Sequence, residues 1–112
     1  MIEYQYFNGC PNSEKTLINL KELVNEGFIS ESDLFIIAAP NLEVSERVNF
    51  QGSPTILCDR VDIYTEEIPT DFNYTCRVYD FDGERTGILS KEYIKKQIAK
   101  LRSPSLTITT KF

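Results

Sequence analysis

An alternating aromatic run, IEYQYF, gives way within a few residues to helical spacing, and the change of period falls on Cys10-Pro11. Apolar and polar residues by turns, rich in aromatics, predict a first strand. Leu17, Leu20, Leu23 and Val24 then share one helix face, and Gly27 stands where a C′ residue stops that helix. Proline is favoured at the first helical position, because its missing N–H would have no intrahelical partner there. Cys10 is therefore expected at the N-cap. Free N–H groups and the helix macrodipole favour negative charge at that point. A thiol placed there ionises more readily, and the thiolate is the reactive form. Asn12 and Ser13 add hydrogen-bond donors beside it. Position alone is equally compatible with a small, buried residue that closes a strand end.

The remaining chain continues the alternation of strands and helices. DLFIIAA is short and continuously apolar and reads as a buried strand, ended by Pro40. Leu42, Val44 and Val48 allow a short helix. PTILC and VDIY read as two further strands joined at Asp59 and Arg60, followed by a weakly patterned loop, TEEIPTDFNYT. CRVYDFDGERTG offers a short strand or turn closed by Asp82-Gly83. Ser90 is a plausible N-cap for a last helix with Tyr93, Ile94, Ile98 and Leu101 as its apolar stripe. The order is β-α-β-α-β-β-α, an α/β fold with a mixed central sheet flanked by helices. Its first half is a βαβ unit with parallel strands. A single domain over residues 1–102 is expected, with a tail, 103–112, that is a frayed end or an added edge strand, the frayed end being favoured because termini are commonly disordered.

Composition narrows the chemistry. The formal charge of -5, from 12 basic and 17 acidic residues, disfavours a nucleic-acid partner. No apolar run reaches the ~20 residues of a membrane span, and the N-terminus lacks the pattern of a signal peptide. A cytoplasmic protein is expected. The chain has no histidine, and its three cysteines, Cys10, Cys58 and Cys76, are widely spaced. That is neither a secreted disulfide framework nor a zinc motif, so no metal site is expected. The phosphate-loop and dinucleotide fingerprints are absent, and no cofactor is expected. Glu66 and Glu67, and Asp80 with Asp82, read as solvated faces or turns.

GSPT, residues 52–55, precedes the third strand, where proline can open a strand that it would disrupt internally. With this element in place the chain resembles the thioredoxin-like proteins. GCPNSE stands where that fold carries its Cys-x-x-Cys motif, and GSPT where it carries a cis-proline loop. YFNGCPNSEKTLINLKELV, QGSPTILCD, CRVYDFDGERTG and SKEYIKKQIAKL together are similar to a group of small bacterial thioredoxin-like proteins sometimes labelled alkylmercury lyase-like. The resemblance implies that Cys10 is the nucleophile and that Ser53-Pro54 is cis. It places Ser53 facing the sulfur and matches Cys76 to a cysteine that recurs in the narrower group. Pro11, Asn12, Ser53 and Pro54 would shape a substrate groove. Ser13 departs from the pattern, since it occupies the place of the second cysteine and cannot form the internal disulfide. Monothiol exchange with a protein or small-molecule thiol or disulfide is the function implied.

Cys58 shares strand parity with Ile56 and is expected in the core. Cys76 is either a resolving thiol for Cys10 or an anchor for the preceding loop, and Arg77 is placed to stabilise a thiolate. If Cys10 exchanges disulfides, Ser13 cannot resolve it and Cys58 points inward, so a Cys10–Cys76 crosslink is expected. The alternative is a non-catalytic thioredoxin-like module that binds a partner protein, or a soft metal or organometal through thiolates.

Overall fold

The computed structural model describes residues 1–39 and 41–102. Pro40, expected to end the second strand, and the tail 103–112, expected to fray, lie outside the described residues. In chain order the elements are β1 (Ile2–Tyr6), α1 (Pro11–Asn25), a 3₁₀ turn (Glu31–Asp33), β2 (Leu34–Ala38), α2 (Leu42–Val48), β3 (Thr55–Cys58), β4 (Val61–Asp62), β5 (Tyr79–Phe81), β6 (Glu84–Thr86) and α3 (Lys91–Leu101). The main sheet has the order β2-β1-β3-β4. β1 runs parallel to β2 and antiparallel to β3, and β3 is antiparallel to β4. The fold is thus α/β with a mixed sheet.

Each helix carries its own start and stop. Pro11 opens α1 directly after Cys10 at the N-cap. The helix ends in a Schellman arrangement: Phe28 N–H donates to the Leu23 carbonyl and Gly27 N–H to that of Val24. Gly27 takes φ +83°, which its missing Cβ permits. Asn41 caps α2 by accepting from Val44 N–H at 3.0 Å, and Ser90 caps α3 by accepting from Tyr93 N–H at 3.2 Å. Period-two strands and period-3.6 helices then meet. Ile2, Tyr4, Ile56 and Cys58 lie in one core with Leu20 and Leu23 of α1 and Ile94 and Ile98 of α3.

Two expectations need correction. β2 is not a buried strand. It lies at the sheet edge, with Phe35 47% and Ile36 46% exposed. A continuous apolar run signals a strand but not its place in the strand order. CRVYDFDGERTG forms more than a single strand or turn. β5 and β6 pair as a hairpin through Asp82 and Gly83, at φ +56° and +92°. Two positive φ values in a two-residue Asp-Gly loop match the twist of the flanking strands. The hairpin sheet is separate from the main one.

Candidate functional site: a helix-capping disulfide beside a cis-proline

Cys10 and Cys76 form a disulfide across 66 residues of sequence, with Cα atoms 6.1 Å apart. The expected crosslink is present. Cys10 sits at the N-cap of α1 and is 5% exposed. Its carbonyl accepts from both Ser13 N–H, at 3.1 Å, and the Ser13 hydroxyl, at 2.7 Å. Ser13 is itself buried, and its carbonyl accepts from the Tyr4 hydroxyl. Ser13 therefore fixes the first turn and ties it to β1.

Cys76 reaches this point because its neighbours pair with the loop before β3. Ser53 N–H donates to the Thr75 carbonyl at 2.8 Å, and Arg77 N–H donates to the Ser53 carbonyl at 2.9 Å. The result is an isolated parallel bridge between Ser53 and Cys76. Gly52 makes the approach feasible. At φ +109°, a Cβ there would lie 2.9 Å from Arg77 Cβ and 3.1 Å from the Thr75 carbonyl oxygen. Ser53-Pro54 is cis. The loop that composition left without a path is pinned by Asn73 N–H to the Phe50 carbonyl and by Gln51 to the Asp71 carbonyl, each at 2.6 Å.

Arg77 does not serve the sulfur as expected; its guanidinium is engaged elsewhere. Nη1 donates to Asp62 Oδ2 at 2.7 Å and to Thr55 Oγ1 at 3.0 Å. The guanidinium carbon lies 4.7 Å from the Tyr79 ring centre and 5.4 Å from that of Tyr64. The ion pair is nearly dry, with the side chains 10% and 1% exposed. Asp62 Oδ1 accepts from the backbone N–H groups of Tyr64 and Thr65. Both carboxylate oxygens are thus occupied, as a buried charge requires. The Tyr79 hydroxyl donates to the Pro54 carbonyl, and burial pushes the Tyr79 phenol well above its usual range, so it remains a donor. Asp62, Thr55, Tyr79 and Arg77 form a clamp that binds the segment bearing Cys76 to the start of β3. Sequence reasoning missed three of these four. The available signal was an acid inside the otherwise apolar stretch VDIY, with an arginine next to a cysteine.

The remaining residues fall out as follows. Ser53 is buried, and its hydroxyl accepts from Phe7 N–H at 3.2 Å. Pro54 is buried, and Asn12 is exposed on α1 and lies against Gly87. A cleft of about 470 Å³ opens beside Cys10 between β1 and the first turns of α1. Cys10, Pro11 and Ser13 line it, whereas Asn12, Ser53 and Pro54 are not among its walls. Cys58 is a free thiol, 1% exposed in the core, as expected. Burial pushes its thiol up, which disfavours the reactive thiolate. After reduction in native buffer, iodoacetamide should label Cys10 and Cys76 before Cys58, read by mass mapping. Early labelling of Cys58 would contradict this placement.

The fold and site define a mixed α/β domain with a disulfide-bonded cysteine at the N-cap of its first helix and a cis-proline in the segment bridged to the other cysteine. No protein-family model, curated protein or solved structure matches the chain. Among the described residues, no helix is long and apolar enough to cross a membrane.

Proposed function

We propose that this chain is a thioredoxin-like thiol–disulfide exchange protein, with Cys10 as nucleophile and Cys76 as resolving thiol. The observation that carries this reading is the disulfide between a helix N-cap and a residue bridged to Ser53, at a cis Ser53-Pro54 bond. The element order, the mixed sheet and the resemblance of the motifs support the thioredoxin-like assignment.

In the reduced protein, free N–H groups at the start of α1 favour negative charge on the Cys10 sulfur. The Cys10 thiolate attacks one sulfur of a disulfide, RSSR. A Cys10–SR bond forms, the RS–SR bond breaks, and one thiolate leaves to take a proton from water. The Cys76 thiolate then attacks Cys10 Sγ, restoring the Cys10–Cys76 bond and releasing the second RS⁻. Two electrons pass from the protein dithiol to RSSR. An external thiol or dithiol returns them. In this reading Cys76 supplies the second thiol that Ser13 cannot, and exchange at Cys10 ends in the internal disulfide. The clamp around Arg77 holds Cys76 near Cys10 through backbone pairing that does not need the disulfide. Cytosolic disulfides are usually transient and catalytic, so this reading is compatible with the expected cytoplasmic location.

The low exposure of Cys10 favours one second reading. The disulfide would then only fasten the loop, in a non-catalytic module that binds a partner protein, or a soft metal or organometal once its thiolates are freed. Turnover separates the two. Reduction of bis(2-hydroxyethyl) disulfide by dithiothreitol should run above background with the native chain and return to background in Cys10→Ser. No turnover by the native chain would leave the structural reading.

A further inference from the structure

We propose that the cleft beside Cys10 selects its disulfide by charge, accepting neutral and cationic organic groups and disfavouring anionic ones. This rests on the exchange reading above and adds the class of substrate. The half of RSSR that stays bonded to Cys10 needs room beside that residue, and Cys10 is one of the residues that line the cleft. Its volume of about 470 Å³ falls within the ~300–1,000 Å³ usual for small-molecule sites.

The walls set the chemistry. Tyr4 and Tyr6 project from the same side of β1, with ring centres 5.7 Å apart in a stacked arrangement. Leu17 and Pro11 add aliphatic surface from α1. Glu14 is the one charged side chain that lines the cleft among the described residues. It is exposed and forms no ion pair among them, so its charge is unspent. Glu14 lies in the first turn of α1 and lines the same cleft as Cys10. The helix N-terminus has the opposite sign, but it acts at the sulfur itself. One turn further along, the organic group meets a carboxylate and the partly buried Tyr6 ring, both of which attract cations. Among the described residues, no lysine or arginine lines the cleft to receive a carboxylate. The formal charge of -5 repels an anionic disulfide at longer range as well.

The experiment measures the rate at which reduced protein is oxidised by three probes: cystamine, bis(2-hydroxyethyl) disulfide and glutathione disulfide. Each rate is divided by that of the same probe with dithiothreitol, which removes intrinsic differences in reactivity. Cystamine should exceed glutathione disulfide by about tenfold at low salt, the size expected for one close charge in a partly solvated site. Glu14→Gln should cut that ratio several-fold. Added salt should shrink the native ratio. Equal normalised rates, or a ratio that Glu14→Gln does not move, overturn the charge selection while leaving exchange at Cys10 intact. If none of the probes oxidises Cys10, the exchange reading falls and this inference falls with it.

Discussion

Asp62→Ala should destabilise the protein by about 3–5 kcal/mol, the cost of stranding one member of a buried ion pair. Asp62 is 1% exposed and Arg77 nearly as dry. Removing the carboxylate leaves the guanidinium with Thr55 Oγ1 and two aromatic faces but no counter-charge. It also removes the acceptor for Tyr64 and Thr65 N–H. A domain of this size has only about 5–15 kcal/mol to lose, so stranding the guanidinium removes a large share of it. Urea unfolding of Asp62→Ala against the native chain reads the loss. The double variant Asp62→Leu with Arg77→Met should recover most of it, because a matched apolar pair leaves no buried charge behind. A single-variant loss below about 1 kcal/mol would match an exposed pair instead and contradict the burial described.

Reducing the Cys10–Cys76 bond should lower stability by about 4 kcal/mol in the chain-entropy treatment, given the length of loop it closes. The native fold should survive, since Ser53, Thr75 and Arg77 keep their backbone bonds and the clamp is independent of the sulfurs. Urea midpoints with and without dithiothreitol measure the difference, with Cys76→Ser as a control that should show none on reduction. Equal midpoints for the oxidised and reduced native chain would mean that the two cysteines are not joined in solution. The same linkage has a functional side. Whatever the bond contributes to folding, folding contributes to the bond, so a folded chain re-forms it readily after exchange.

Much of the framework was readable from local pattern. Pro11 after Cys10 marked the helix start, Gly27 its end, and Ser90 the cap of the last helix; each acts through its own neighbours in the chain. Asp82-Gly83 marked its turn for the same reason. What escaped depends on long-range placement. LFIIA has the composition of a buried strand, but edge position is decided by which strands pair, and β1 has β3 on its other side. Arg77 looked free to face a sulfur because nothing local places Asp62 beside it. The cleft was missed although its parts follow simple periods: Tyr4 and Tyr6 alternate along β1, and Glu14 stands one turn from Cys10. Cys76 was reached by elimination among the three cysteines, whereas its actual route depends on the Gly52 approach and the Ser53 bridge.

The role of Cys10 is tested most directly by trapping the first exchange step. Cys76→Ser removes the resolving thiol, so a mixed disulfide at Cys10 should persist. The reduced variant is exposed briefly to bis(2-hydroxyethyl) disulfide at neutral pH, quenched in acid and mapped by mass after digestion. The expected product is a single mercaptoethanol adduct on Cys10, formed at least about tenfold faster than any on buried Cys58. An unmodified Cys10 under conditions that consume a free reference thiol, or an adduct found first on Cys58, would contradict its role as the nucleophile.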